Sequence, residues 1–252
     1  MAIEPGRYDT TANLGTFHLH AGRLAEGLKL IKKAIEINPN AHFGREVFQK
    51  LLVEYVLERS PTGKPSLPLE TGLPRDYGSR GFARFVSLQR ESTDADLAAA
   101  LRGVLGMMKF GSHDHPALLE ALGDLLVTGI QEDAKQLAAR AYLKASYGAK
   151  EEAAAKAYRE MAVQGLSGWT VQSRDPYREE RMTIEEIEGQ FRAELADAET
   201  WYAGVRADEL RWIQEGKDVE REFAAKYYVE PAAADTQPYF VNWLKVGGVA
   251  IL

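Results

Sequence analysis

The chain has 252 residues, 45% of them hydrophobic and 27% charged, a balance that supports a packed core and excludes a largely disordered polypeptide. A formal charge of −6, with no run of Lys or Arg, disfavours nucleic acid as a partner. The absence of cysteine excludes disulfides, thiolate nucleophiles and sulfur-ligated metals.

The opening residues, Met1 to Arg7, carry neither the charged start nor the apolar stretch of a signal peptide, so the chain as written is expected to be soluble. Over residues 8–39, apolar side chains fall at helical spacing in two blocks. Tyr8, Leu14, Phe17 and Leu19 form the first, and Leu24, Leu28, Ile31, Ala34 and Ile37 the second, with Gly22 between them as a helix stop. This spacing predicts a helical hairpin. Leu14-Gly15 on the first helix and Gly27, Ile31 and Ala34 on the second include the small residues that two closely approaching backbones require, and Pro39 ends the pair.

Leu14, Gly15, Gly22, Gly27, Ile31, Ala34 and Pro39 resemble the tetratricopeptide-repeat signature, with Gly27 in place of the usual alanine and His18 in place of the usual aromatic residue. Ile3-Glu4-Pro5 precedes this repeat as Ile37-Asn38-Pro39 closes it, and Pro39 follows Pro5 by 34 residues, the period of that family. The resemblance implies an all-α solenoid of helical hairpins, and, since one repeat cannot bury its own apolar face, either a chain forming the C-terminal part of a longer, bacterial repeat protein or a second chain that covers that face. It also implies that the first helix of each pair lines a concave groove for a protein or peptide partner. In this sequence those positions are Asp9, Ala12, Asn13, Thr16, Leu19 and His20. Asn13 stands where many such repeats hold a peptide backbone. The lysine that often precedes it is alanine here, which argues against capture of a C-terminal carboxylate.

Beyond Pro39, the string from Ala41 to Glu46 leads into a helix with Phe43, Val47, Phe48, Leu51, Leu52, Tyr55 and Val56 on one side. It resembles the helix that follows the last regular repeat in a group of bacterial repeat proteins, so residues 1–59 read as one repeat plus a capping helix. Arg45 has two readings, a grip on a partner's carboxylate or a pair with a neighbouring acid, and the second is favoured.

Residues 60–91 read as a linker and domain boundary, because Pro61, Pro65, Pro68, Pro74 and four glycines fall before residue 82. Residues 92–166 return to helical patterning. Thr93 caps a helix reaching Phe110, and three more are expected over 116–128, 132–147 and 150–164. Leu122-Gly123 followed by Ala134, Ala138 and Ala141 repeats the earlier small-residue ladder, so this part reads as degenerate repeat-like hairpins. The resemblance then carries the groove positions to Glu120, Asp124 and Thr128. After a loop at 167–182, Thr183 and Glu186 form a capping box for a long amphipathic helix over 183–228, continuous or broken at Gly216. Its stripe offers a surface for self-association. The tail at 229–252 is apolar at its end, but residues 239–252 fall short of the roughly 20 needed to span a bilayer. Membrane contact is expected there only if the chain continues.

Catalytic and metal chemistry find no support in the pattern. His18/His20 and His113/His115 are each two residues apart, a spacing that on a helix turns the rings in different directions, and Asp114 reads as the cap of the helix opening at Pro116. The paired glutamates lie near helix starts, where the backbone dipole favours them. Neither a phosphate-binding Gly-Lys-Ser/Thr loop nor a Gly-x-Ser-x-Gly elbow is present. The expected function is a non-catalytic interaction scaffold without cofactor or metal. The alternative is a structural, assembly or membrane-tethered protein using the long helix and the tail.

Overall fold

The computed structural model describes residues 7–60, 65–69, 81–90, 94–128, 132–167 and 182–228. The described residues hold ten α-helices and no strand, an all-α fold of stacked helical hairpins with a long C-terminal helix. In chain order the helices are α1 (Tyr8–His20), α2 (Leu24–Ile37), α3 (Arg45–Glu58), α4 (Gly81–Arg90), α5 (Asp94–Phe110), α6 (Pro116–Val127), α7 (Glu132–Gly148), α8 (Glu152–Ser167), α9 (Ile184–Gln214) and α10 (Val219–Tyr227). A 3-10 turn, Ala41–Gly44, introduces α3.

Gly22 ends α1 because the chain must turn there with φ of +74°, a left-handed conformation open to glycine. The Arg23 N–H returns to the His18 carbonyl and the Gly22 N–H to the Leu19 carbonyl, so the helix end is satisfied. The pair α1–α2 then closes through its small residues. A Cβ on Gly15 would stand 2.9 Å from Ile31 Cδ1, and one on Gly27 would stand 3.0 Å from the Gly15 carbonyl oxygen. Ile31 and Ala34 are fully buried in this seam. The close approach thus runs through Gly15, Gly27 and Ile31.

Each hairpin hands on to the next. α1 packs on α2, α2 on α3, α3 on α5, α5 on α6, α6 on α7 and α7 on α8, while α4 lies against α5 and α6. The helix expected to cap the array, α3, is therefore an interior member of the stack, with Phe48 fitted against Gly103 of α5. Within the expected linker, residues 81–90 form a helix, because Phe82, Phe85 and Val86 lie at helical spacing and all three are buried. Phe82 and Phe85 meet the Tyr55 ring with centroids 5.9 and 5.4 Å away. Residues 60–91 accordingly do not divide two bodies: Met1–Ile187 form one compact unit and Glu188–Leu252 a second. The expected cap at Thr93, most of the loop at 167–182 and the tail at 229–252 lie outside the described residues.

The capping box that opens α9 is present in both directions. Thr183 N–H donates to Glu186 Oε2 at 2.7 Å, and Glu186 N–H donates to Thr183 Oγ1 at 3.2 Å. In the second unit, Gly216 with φ of +67° breaks the helical run. α10 then contacts α9 through Tyr227, whose ring meets Trp201 and Trp212 and whose hydroxyl donates to Asp208 at 2.6 Å. Asp208 also binds Lys226 and Arg211, and these partners, Lys226 foremost, hold its carboxyl below the usual range.

Two other glycines of α9, Gly189 and Gly204, have no atom within 4 Å of where a Cβ would stand. With no clash to oppose the gain in helix propensity, each change to alanine is expected to stabilise α9 by about 0.5–1 kcal/mol. Urea titrations of G189A and G204A followed by helical circular dichroism measure this, and a loss of stability in both would contradict it.

Candidate functional site

α1, α3, the C-terminal turn of α5, the start of α6 and residues 65–67 enclose a concavity of about 670 Å³ within the first unit. Leu52, Val53 and Val56 of α3, Met107 and Phe110 of α5 and Leu118 of α6 supply apolar wall. Pro65 and Leu67 add to it from the connecting segment. Its size and mostly apolar character fit the usual range of ligand sites.

Four of the six groove positions expected on α1 line this cavity: Asn13, Thr16, Leu19 and His20. Thr16 is fixed from both sides, since its hydroxyl donates to the Ala12 carbonyl at 3.0 Å and accepts from Gln49 Nε2 at 3.3 Å. Leu19 lies over Gly27, whose missing side chain leaves room for it, with Leu19 Cγ 2.7 Å from where a Cβ would stand. The other two positions depart from expectation. Ala12 is only 4% exposed and lies in the core, and Asp9 is exposed outside the cavity lining.

Arg45 opens α3, and its terminal nitrogen binds Glu46 Oε1 at 2.9 Å, which is the pairing with a neighbouring acid that the sequence favours. Its guanidinium carbon also lies 5.6 Å from the centre of the Phe110 ring, and its stem crosses Gly106, where a Cβ would stand 3.3 Å from Arg45 Cδ. Glu46, 3% exposed, is the hub of this corner. Burial by itself would raise its pKa, but hydrogen bonds with His42, Tyr8 and Arg45 outweigh burial and hold the carboxyl below its ordinary value. The Tyr8 hydroxyl, 2.8 Å from His42 Nδ1, is pushed up by its own burial and by the Glu46 charge. His42 takes a left-handed backbone conformation, φ +47°, that side-chain-bearing residues adopt at a cost of about 1–3 kcal/mol.

His115 sits at the junction of α5 and α6. Its Nδ1 accepts from the Ala117 N–H at 3.3 Å, so the α6 cap is His115, and Asp114 instead accepts from Ser112 at 3.0 Å. An Nδ1 used as acceptor puts the ring proton on Nε2. Burial, and then the nearness of His20, hold the His115 pKa below its usual value, so the ring is neutral at pH 7. His18 accepts from Arg23 Nε at 3.1 Å.

The positions carried over to the second hairpin behave differently. Glu120 and Asp124 are both 0% exposed, which removes them from any open face. Glu120 Oε2 accepts from the Leu69 N–H at 2.9 Å and the Tyr158 hydroxyl at 2.8 Å. Asp124 accepts from the Phe82 N–H and the Tyr142 hydroxyl, both at 2.8 Å. Thr128, half-buried, donates to the Asp124 carbonyl. These carboxylates face the backbone of the chain's own segment between α3 and α5. Because Pro65 and Leu67 wall the cavity two to four residues before Leu69, the Glu120 contact also fixes one side of the site.

Sequence reading missed His42, Gln49, Met107, Phe110 and His115 as lining residues. The helical spacing of Met107 and Phe110 was visible, but only the packing of α5 against α3 and α6 brings their side chains to α1's groove face. No helix among the described residues is long and apolar enough to cross a membrane. Comparison with protein-family models, with curated proteins and with solved structures finds no significant match.

Proposed function

We propose that this chain is a non-catalytic scaffold of the tetratricopeptide-repeat kind that holds a protein or peptide partner in the concavity between α1 and α3. One observation carries the reading: Asn13, Thr16, Leu19 and His20, four positions that the repeat resemblance assigns to a partner-binding groove, line one open, apolar cavity. Two polar groups of that lining are held in place, Thr16 by Gln49 within the lining and Arg45 by Glu46 beside it, and this fixes the shape of the site. Such an arrangement favours recognition over bond-making chemistry. The experiment is affinity capture on the immobilised chain with Asn13→Trp and Thr16→Trp as comparators. A defined partner retained by the parent and lost by both variants, with their circular dichroism unchanged, supports the groove. Equal retention by the variants overturns it.

A second reading rests on a separate observation. Trp201, Tyr202, Leu210 and Ile213 of α9 are each at least half exposed, a surface suited to self-association. If assembly is the role, the mass measured by light scattering rises with concentration and falls to that of one chain when Tyr202 and Ile213 are both changed to glutamate. A parent chain that stays monomeric at high micromolar concentration removes this alternative.

A further inference from the structure

Among the described residues, the side chains lining the cavity include one arginine and three histidines, Arg45, His20, His42 and His115, and no Asp, Glu or Lys. This is an unusual patch on a chain with 37 acidic and 31 basic residues. Most of the remaining lining is aliphatic or aromatic. Hydrogen-bonding capacity leans the same way. Arg45 is all donor, and His115, with Nδ1 committed to the Ala117 N–H, keeps its proton on Nε2. Arg45 is also pre-positioned. Glu46, Phe110 and the bare backbone at Gly106 hold its stem and guanidinium, and its hydrogen bonds to His42 and Glu46 run through a single terminal nitrogen. A guanidinium carries five N–H donors in a fixed fork, so a carboxylate can be taken up without breaking the Glu46 contact.

Resting on the reading that a peptide occupies this cavity, we propose that the occupant is an acidic, apolar-anchored peptide segment. A large apolar side chain fills the pocket between α3 and α5, and the side-chain carboxylate of a neighbouring Asp or Glu meets Arg45 and the imidazole rim. The carboxylate is a side-chain group within the peptide and not its C-terminus. Position 12 on α1 is a buried alanine outside the lining, and the cavity's one arginine lies at the start of α3, where a side chain within a longer peptide can reach it. Charge supplies specificity and a salt-sensitive share of the affinity, while the apolar side chain supplies most of the buried area.

The test pans a phage-displayed library of random dodecapeptides on the full-length chain, followed by titration of synthetic versions with free and amidated C-termini. The expected consensus pairs Trp, Phe or Leu with Asp or Glu. Changing that acid to its amide weakens binding about tenfold, as expected for one charge-assisted hydrogen bond. Amidating the C-terminus leaves affinity unchanged, and raising salt lowers it. Arg45→Lys is expected to recover part of what Arg45→Gln loses. Because removing Arg45 leaves Glu46 buried without its cation, the amide-substituted peptides measure the same contact with the protein unaltered. Peptides that bind the cavity with no acidic preference overturn this inference and leave the peptide-binding reading standing. A consensus dependent on the terminal carboxylate also overturns it. No enrichment above a bare matrix overturns both.

Discussion

Replacing Asp124 with alanine is expected to destabilise the first unit by about 3–5 kcal/mol, because two buried donors lose a charged acceptor. Asp124 is 0% exposed and accepts from the Phe82 N–H and the Tyr142 hydroxyl, both at 2.8 Å. Truncation leaves two buried donors without this acceptor, at about 1–3 kcal/mol each, before any effect of the cavity created. Asp124→Asn is the sharper variant, because its shape is retained while one acceptor oxygen becomes an NH₂ donor facing a donor. Urea unfolding gives the total. Hydrogen exchange gives the location: in D124A, the amides of α4 should lose protection before those of α7 and α8, since the Phe82 N–H is the tether of α4's first turn. A loss below about 1 kcal/mol, or uniform loss of protection, would show that the carboxylate does not hold that helix. Against a total stability of about 5–15 kcal/mol, combining this change with Glu120→Ala is expected to prevent folding of the unit.

The second large effect is Gly123→Ala. A helix normally gains about 1 kcal/mol from such a change. At this position the new Cβ would overlap the Tyr142 ring, with Cζ only 2.6 Å away. Were that ring free to swing, the overlap would cost little. It is fully buried, however, and its hydroxyl is held by Asp124, so α6 and α7 must separate instead. The net expectation is a loss of about 2–3 kcal/mol, larger for Gly123→Val. A double-mutant cycle with Tyr142→Leu isolates the cause. If the ring is the obstacle, G123A costs much less when combined with Tyr142→Leu than alone, and an unchanged cost would place the penalty elsewhere.

The elements were largely legible because helix periodicity, caps and stops are local properties. Gly22 and Gly216 end helices through φ values that other residues avoid, and Thr183 and Glu186 cap α9 through bonds three residues apart. Helix α4 was legible too, in Phe82, Phe85 and Val86, but the prolines and glycines before it drew the whole of 60–91 into a loop reading. A breaker-rich stretch marks its own residues and not those beyond the last glycine.

Asn13, Thr16, Leu19 and His20 meet at one cavity because a helix presents its residues at fixed intervals and these four share one side of α1. The same intervals failed at Glu120 and Asp124, for a reason absent from the local pattern. Exposure of a helix face depends on what packs against it, and here the chain's own backbone at Leu69 and Phe82 arrives from 51 and 42 residues away. Length, patterning and the glycines at the crossings therefore determined that hairpins form and stack. Only the tertiary structure decided which of these positions line an open cavity and which are consumed in holding the stack together, because burial is a property of two surfaces and a sequence window describes one.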